Sequence, residues 1–409
     1  MPVPKSLRET IRYRALCPLQ YAAGSLRSAF TGRRTTTRHI LIASDNLAVT
    51  SEEQFAPLLA GRNRTFDEIG VLFDHRRLDD VLARSPNPES YTAVLAKLSF
   101  LTPKTEALDK IARLRRLFPH PVRLIYFDGD DDSCIQWPEL LDNVDIYVKK
   151  HMFSDPTWYQ QHFAGKSNLT DYVSRLHGYS FADNAISHSG VVPAEQMDKV
   201  VLGYNIGLDT KITDLFRTTK PSSEADKTVD VMCRAPCKPE SWIYPFRVPL
   251  NDALKPLADQ GYNVNVPNER AHQHGYYQEM RSARICVSPF GYGELCWRDF
   301  EAVLMGCLLV KPDMGHVRTE PNIFVPGVTY VPVQWDFSDL PEVCARYLAE
   351  GEARKAITAK AYQVLADYYG SHNALQRFDE ILTLAGAPTP ASAAAALQQK
   401  AKQNDMTIS

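Results

Sequence analysis

The sequence predicts an α/β protein with two domains, and three observations carry this prediction. The chain has 409 residues, more than one ordinary hydrophobic core holds. Short apolar runs alternate with helical patterns in both halves of the chain, which is typical of parallel sheets covered by helices. Residues 276–312 contain one complete unit of this kind, with a strand, a glycine loop, a helix and a second strand.

Residues 1–37 form a basic segment with apolar residues interleaved. They hold seven basic side chains and one acidic side chain, Glu9. One interpretation is an amphipathic segment that lies on an anionic membrane surface. The other, which we prefer from the sequence alone, is a loosely docked helix with a solvated basic face.

Residues 38–220 are predicted to form the first α/β domain. Apolar runs that end at polar residues predict strands at 38–44, 68–73, 121–127 and 144–148. The intervening patterns predict helices at 51–62, 77–85, 91–100, 104–118 and 137–141. Residues 150–200 are less regular and are interpreted as an insertion.

Residues 221–384 are predicted to form the second α/β domain, beginning with a polar linker. Strands are predicted at 228–233, 262–266, 285–288, 308–310 and 330–333. Helices are predicted at 247–260, 276–284, 295–305, 340–349 and 354–369. Residues 385–409 are rich in Ala, Pro and Gln without a core pattern, which predicts a flexible tail.

The loop at 289–293 points most directly to a ligand site. Gly291 and Gly293 allow positive φ and a close approach of the backbone to a ligand. A glycine loop at the carboxyl end of a parallel strand presents backbone N–H groups beside a helix N-terminus, where phosphates bind. Alternatively, the loop is only a connector, and Arg298 and Glu301 form a surface pair on the following helix. Gly306 stands where that helix needs a cap glycine.

This stretch resembles the donor-binding motif of GT-B glycosyltransferases, especially exostosin-like and related bacterial surface-polysaccharide enzymes. The residues that carry the resemblance are Ser288, Pro289, Gly291, Arg298, Glu301, Ala302, Gly306, Cys307 and Val310. The resemblance extends weakly over the C-terminal half and does not cover the N-terminal half. Glu294 and Glu301 are separated by six residues, whereas many retaining members have seven, so no retaining mechanism is assigned.

The resemblance implies two Rossmann-like domains that face each other across a cleft. It implies transfer of a sugar, without a metal, from a nucleotide-sugar donor to a hydroxyl of a saccharide or lipid-linked acceptor. The setting would be surface-polysaccharide synthesis at the cytoplasmic face of a membrane. The donor would be bound by Arg234, Ser288, Gly291, Gly293, Glu294, Arg298 and Glu301.

An acidic run follows the predicted strand 121–127 and consists of Asp128, Asp130, Asp131 and Asp132. It resembles both the metal-binding DxD motif of GT-A enzymes and the nucleophile loop of haloacid dehalogenase phosphatases, although Ser133 lies one position too late for the latter. A third interpretation is a solvated acidic turn. In a GT-B arrangement this edge faces the cleft, so Asp130 is a candidate for the base that deprotonates the acceptor, with Asp45 and His151 as rivals.

Composition narrows the function classes. The formal net charge of −2 gives no case for nucleic-acid binding. The eight scattered cysteines suit buried thiols in a reducing compartment. No run approaches the roughly 18 apolar residues of a membrane span. Two alternatives stay open: a Mg²⁺-dependent phosphoryl-transfer enzyme or phosphatase that uses Asp128 and Asp130, and a non-catalytic GT-B scaffold protein bound to a membrane through residues 1–37.

Overall fold

The computed structural model describes residues 17–30, 38–45, 54–60, 70–181, 189–236, 238–267, 269, 271–370 and 373–386. Within these residues the chain builds two parallel sheets and one short antiparallel ribbon. Residues up to 202, which build the first sheet, are called the first half, and residues from 229 onward the second half. The expected α/β fold with two Rossmann-like halves is confirmed. Residues 1–16 and 31–37 of the basic segment and residues 387–409 of the predicted tail lie outside the described residues.

The first sheet consists of β1 (Arg38–Ser44), β2 (Val71–Arg77), β3 (Ala93–Lys97), β4 (Arg123–Asp128), β5 (Ile146–Lys149) and β7 (Val200–Leu202). Its order is β2-β1-β3-β4-β5-β7, and every pairing is parallel. The α-helices that precede the second sheet in the chain are α1 (Cys17–Phe30), α2 (Ala56–Ala60), α3 (Leu78–Arg84), α4 (Lys104–Leu117), α5 (Asn168–His177) and α6 (Thr210–Thr218), the last of which links the two halves.

The second sheet consists of β8 (Val229–Met232), β9 (Val264–Asn265), β10 (Ala283–Val287), β11 (Leu308–Pro312) and β13 (Val331–Val333). Its order is β13-β11-β10-β8-β9, again entirely parallel. Its helices are α7 (Tyr244–Asp259), α8 (Gln273–Ser282), α9 (Trp297–Leu304), α10 (Leu340–Ala349), α11 (Gly351–Gly370) and α12 (Asn373–Gly386).

The predicted helix at 91–100 is wrong, because residues 93–97 form β3. The run Ala-Val-Leu-Ala-Lys has good helix propensity, but it pairs with both β1 and β4, and all five residues are buried. Burial in the middle of a sheet overrides that propensity. β2 also extends beyond the predicted strand, so Asp74 and His75 lie within it rather than after it. Of the predicted helix 51–62, the described helical part is α2.

Both sheets are wound in the same way. Numbered along the chain within each sheet, the strands follow the order 2-1-3-4-5, and the first sheet adds β7 at its end. In such sheets ligands bind beyond the carboxyl ends of the strands, at the point where the strand order reverses. These switch points lie between β1 and β3 in the first sheet and between β8 and β10 in the second. The winding therefore indicates two places where a ligand fits.

The two halves are joined by backbone pairing and by the C-terminal helix. β6 (His151–Phe153) of the first half pairs antiparallel with β12 (Val317–Thr319) of the second half. The final helix α12 packs its buried residues into the core beneath the first sheet, with Phe378 and Ile381 fully buried. The chain thus returns to its first half at its end.

The start of α9 is fixed by Asp299, which is fully buried. Its carboxylate accepts hydrogen bonds from the Cys296 amide at 2.9 Å and from the Ser288 hydroxyl at 2.5 Å. It also forms an ion pair of 3.2 Å with the buried ammonium of Lys311. Gly306, at φ +75°, follows the last turn of α9 as a left-handed cap, as predicted.

No helix among the described residues is both long enough and apolar enough to cross a bilayer. The free thiols in the same part of the chain are those of Cys134, Cys233, Cys286, Cys296, Cys307 and Cys344. All of them except the half-buried Cys296 are buried.

Candidate active site

Arg298 occupies the switch point of the second sheet. It lies in the first turn of α9, beyond the end of β10. Its Nε and Nη1 atoms are buried and have no hydrogen-bond acceptor in the described structure. Burial opposes the charge of Arg298, but its pKa is raised all the same. The neighbouring groups that contribute most to this rise are Cys296, Tyr276, Cys233 and Cys286, none of which is a carboxylate. Because arginine stays protonated, this is a permanent positive charge with two unused donors.

The loop at 289–293, called the glycine loop, is held in place from within the second half. Arg247 of α7 donates to the carbonyl of Phe290 at 3.0 Å. Gly291 and Gly293 do not use the positive φ that glycine allows, because neither belongs to the described glycines with that conformation. The loop bends back on itself, since the Gly291 amide donates to the Gly293 carbonyl at 3.1 Å.

Gly293 is required by a close approach between the two halves. A Cβ atom at this position would lie 1.4 Å from the backbone oxygen of Asp131. A Cβ atom at Gly291 would meet nothing closer than 3.8 Å. The close approach predicted for Gly293 therefore exists, but the neighbour is the backbone of the first half.

Gly293→Ala is expected to force the halves apart, whereas Gly291→Ala is expected to be nearly neutral. Overpacking of this kind costs about 1–3 kcal/mol of unfolding free energy. The two variants form a matched pair on one loop, and their melting temperatures and small-angle scattering radii are the measurements. Equal behaviour of the two would contradict the contact with Asp131.

Glu294 links the halves directly. It is fully buried, and its Oε2 accepts from the backbone N–H of Ser133 at 3.1 Å and lies 3.2 Å from Nε2 of His151. His316 Nε2 lies 3.7 Å from the other carboxylate oxygen, beyond hydrogen-bond distance. Burial opposes the charge of Glu294, but the two histidines hold its pKa well below the usual value. Burial lowers the pKa of His151 despite the carboxylate, so its ring is neutral at pH 7.

Glu301 and Arg234, two further predicted donor ligands, already have partners. Glu301 is 2% exposed and accepts from the hydroxyls of Tyr276 and Tyr277, each at 3.0 Å. The ammonium of Lys211 lies 2.6 Å from the same carboxylate. The guanidinium of Arg234 forms a bidentate ion pair with the carboxylate of Glu279. Its charge is therefore balanced, unlike that of Arg298.

The acidic run, residues 128–132, is neutralised by three lysines. Asp128 lies 3.0 Å from Lys149, and Asp131 lies 3.3 Å from Lys150. Lys166 bridges Asp130 and Asp132 at 2.6 and 2.9 Å. Within the described residues no group of three or more His, Cys, Asp or Glu side chains could hold a metal ion. The lysines supply the positive charge that Mg²⁺ would supply, so the arrangement does not favour the phosphatase alternative.

Two neighbouring carboxyl groups of this run have opposite pKa shifts. Burial alone would raise the pKa of Asp130, but Lys166 and then Lys149 hold it at about 2. Burial raises the pKa of Asp132 to about 7, with Asp130 and Glu294 adding to the shift and Lys166 opposing it. Asp130 is therefore fully ionised at neutral pH, and Asp132 is partly protonated.

A small cavity that is open to solvent lies beyond β3 and β4 in the first half. Its walls include Lys97, Phe100, Asp130, Gln136 and Trp137. Lys97 is only 2% exposed, and no hydrogen bond or ion pair is formed by its ammonium in the described structure. Burial lowers its pKa to about 8, with Lys150 contributing. The carboxylates of Asp128, Asp45 and Asp130 oppose this lowering. Lys97 is thus a buried cation without a hydrogen bond in the described structure, and it lies at the other switch point.

The remaining catalytic candidates occupy different surroundings. Asp45 follows β1 at the same switch point as Lys97, and its Oδ2 accepts from the Ser99 amide at 2.6 Å. Its Oδ1 is buried without a hydrogen-bond partner. His151 lies in the β6–β12 ribbon against Glu294 and does not line the cavity. Of the three predicted bases, Asp130 is the one on the cavity wall.

Lys97→Met is expected to stabilise the protein at pH 7 by about 3 kcal/mol, because the native pKa of about 8 lies below the unfolded value of 10.5. From pH 8 to 10.5 the unfolded chain keeps a proton that the native protein has released, so the unfolding free energy of wild type rises with pH. The stability advantage of Lys97→Met over wild type therefore shrinks over this range. Urea unfolding at both ends of this range measures the effect. Lys149→Met is the matched control, and loss of its ion pair should destabilise the protein by about 3–5 kcal/mol. Destabilisation by both substitutions would show that Lys97 has a partner.

Sequence reasoning missed Lys97, Lys149, Lys166, Arg247 and His316. A signal for two of them was present, because Lys97 and Lys149 each end an apolar strand run at the carboxyl edge. Lys166 and His316 have no local signal. They reach the site from segments that are distant in sequence.

No protein-family model matches the chain, and no curated protein matches its sequence. Among solved structures, the chain is similar to a glycosyltransferase from Rickettsia africae, with 11% identity, a TM-score of 0.46 and coverage of 86% of this chain and 100% of that one. It is similar to sucrose-phosphate synthase from Thermosynechococcus elongatus, with 11% identity, a TM-score of 0.44 and coverage of 85% and 98%. It is also similar to the catalytic domain of starch synthase IV from Arabidopsis thaliana, with 9% identity, a TM-score of 0.45 and coverage of 86% and 99%. These likenesses concern the course of the chain and not the residues of a site.

Proposed function

We infer that the protein is a GT-B glycosyltransferase that moves a sugar from a nucleotide-sugar donor to an acceptor hydroxyl. The observation that carries this inference is the guanidinium of Arg298, which has two buried donors without acceptors at the switch point of the second sheet. A diphosphate supplies the oxygens that such a fork binds, and its negative charge balances the arginine. The resemblance of residues 288–310 to a donor-binding motif points to the same ligand.

The donor would bind between α8 and the start of α9. Arg298 and the backbone of the glycine loop would hold the diphosphate, since developing charge on the leaving group is stabilised by preorganised donors. A carboxylate has about four lone-pair sites. Glu301 already accepts from two tyrosines and Lys211, so one site is left for a ribose or sugar hydroxyl. We expect no metal in this step, because Arg298 supplies the positive charge.

The acceptor would enter the cavity of the first half. Phe100, which is 42% exposed at the mouth of the cavity, offers a ring face to a sugar, and Lys97 can donate to a hydroxyl. Asp130 lines the same cavity and is kept ionised by Lys166. It would take the proton as the acceptor oxygen attacks the anomeric carbon and the nucleoside diphosphate leaves. The contact between Gly293 and Asp131 holds the two sites together.

A thermal-shift panel of UDP, GDP, CMP, ADP and dTDP, with Mg²⁺ or with EDTA, tests the donor assignment. A ligand at 100 times its dissociation constant adds about 2.7 kcal/mol of stability. We expect one nucleotide to raise the melting temperature in EDTA as well as in Mg²⁺. If none of the five shifts the transition, the nucleotide-sugar assignment is wrong.

The finer setting follows from the sequence resemblance alone. It is surface-polysaccharide synthesis on a saccharide or lipid-linked acceptor, at the cytoplasmic face of a membrane. Release of nucleoside diphosphate in the presence of saccharide and lipid-linked acceptors separates these acceptor classes. Binding of a nucleotide without any turnover would instead support the scaffold alternative.

A further inference from the structure

Helix α1 presents an apolar stripe to the solvent. Leu19 and Leu26 are 67% and 61% exposed, and Ala22 and Ala23 between them are exposed as well. The spacing of three, four and seven residues places these four side chains in one row along the helix. They are called the α1 stripe. Surface helices normally turn such a row toward the protein core, so its direction is inverted here.

The opposite face of α1 fixes this orientation. The Tyr21 hydroxyl shares a hydrogen bond of 2.8 Å with Nδ1 of His39, and its ring stacks on Tyr91 at 6.5 Å. One turn later, a Cβ atom at Gly24 would lie 2.5 Å from the Leu72 side chain, so the helix backbone sits close against β2. Tyr21 and Gly24 thus hold α1 to the edge strand of the first sheet, and the stripe points away from the protein.

The charge around α1 in the sequence is strongly positive. Residues 1–37 carry a single acid, Glu9, and seven basic residues, which are Lys5, Arg8, Arg12, Arg14, Arg27, Arg33 and Arg34. The whole chain has a net charge of −2, so the basic excess is concentrated at this end. An outward apolar row in a segment whose sequence is basic is complementary in composition to a surface that is anionic outside and apolar just beneath.

We propose that the α1 stripe docks the protein on the surface of an anionic lipid bilayer. Leu19 and Leu26 enter the boundary between headgroups and acyl chains, and the basic residues of the segment attract anionic lipid. The bound helix lies parallel to the bilayer plane, because Tyr21 and Gly24 keep its other face on the protein. This inference does not depend on the reaction that the protein catalyses.

Flotation of the full chain with phosphatidylcholine vesicles, with and without phosphatidylglycerol, tests the proposal. We expect wild type to float with the anionic vesicles and to be released by high salt. The double variant Leu19→Glu/Leu26→Glu should bind at least about tenfold more weakly. Leu176→Glu is the matched control, because Leu176 is 58% exposed on another helix, and it should bind as wild type does.

Three outcomes would overturn the proposal. The first is no flotation of wild type with anionic vesicles. The second is equal flotation of the double variant and wild type. The third is equal loss of flotation in the Leu176→Glu control. A wild-type dimer that becomes monomeric in the double variant, without vesicle binding, would assign the stripe to a second copy of the chain. Circular dichroism of each variant shows that the fold is retained, and the milder Leu19→Ser/Leu26→Ser variant replaces the double variant if it is not.

Discussion

Arg298→Met is expected to weaken binding of the nucleotide donor by at least about a hundredfold and to stabilise the ligand-free protein. Each charge-assisted hydrogen bond lost to the diphosphate contributes about 1.5–3 kcal/mol, and the two unused donors of Arg298 can make two such bonds. In the ligand-free protein the same nitrogens are buried without acceptors, so an apolar side chain of similar length removes a desolvation cost. Titration calorimetry with the nucleotide and urea unfolding measure the two effects.

Two variants sharpen this result. Arg298→Lys keeps the charge but loses the planar fork, so it should bind the donor with intermediate affinity. Arg346→Met removes an arginine whose side chain is 62% exposed on α10, and it should leave the affinity unchanged. Unchanged affinity in Arg298→Met would remove Arg298 from the donor site. Lower affinity together with lower stability would mean that Arg298 has a structural partner.

Asp130→Asn is expected to lower the rate of sugar transfer by about 10²- to 10⁴-fold while donor affinity stays the same. The amide cannot accept the acceptor proton, but it keeps the size of the side chain, and Lys166 keeps its ion pair with Asp132. The measurement is the release of nucleoside diphosphate in the presence of saccharide acceptors. Separate nucleotide titrations show whether the donor site is intact.

Asp131→Asn is the control on the same loop. Its side chain is 50% exposed, and its ion-pair partner among the described residues is Lys150 at 3.3 Å, so transfer should continue at nearly the wild-type rate. If Asp130→Asn retains the wild-type rate, Asp130 is not the base. Asp45→Asn and His151→Asn then decide between the two rivals.

The sequence predicted the second half of the fold better than the first. Residues 283–312 show their strand, helix and cap glycine locally, because each apolar run there ends at a loop or glycine. β3 was mistaken for a helix, because its state is decided by neighbours on both sides and not by its own residues. Local patterns therefore predict an element only where its tertiary packing favours the same secondary structure as its intrinsic propensity.

The candidate site was predictable in residue type and not in pairing. Arg298 and Asp130 were expected near the site. However, the sequence does not show that Arg298 lacks hydrogen-bond acceptors or that Lys166 pairs with Asp130, because both depend on contacts between distant segments. The sequence places Glu294 in the donor motif, whereas the structure directs it to Ser133 and His151 of the first half. Periodicity describes one segment at a time, so it cannot show which charges the fold neutralises.

The return of α12 to the first half has a consequence for synthesis on the ribosome. The first sheet is translated early, but one face of it is covered by Phe378, Ile381 and Leu382 near the end of the described chain. Until those residues leave the exit tunnel, we expect the nascent first half to expose an apolar surface, which favours aggregation. The first half is made first, but we expect it to reach its native packing only after α12 has been synthesised.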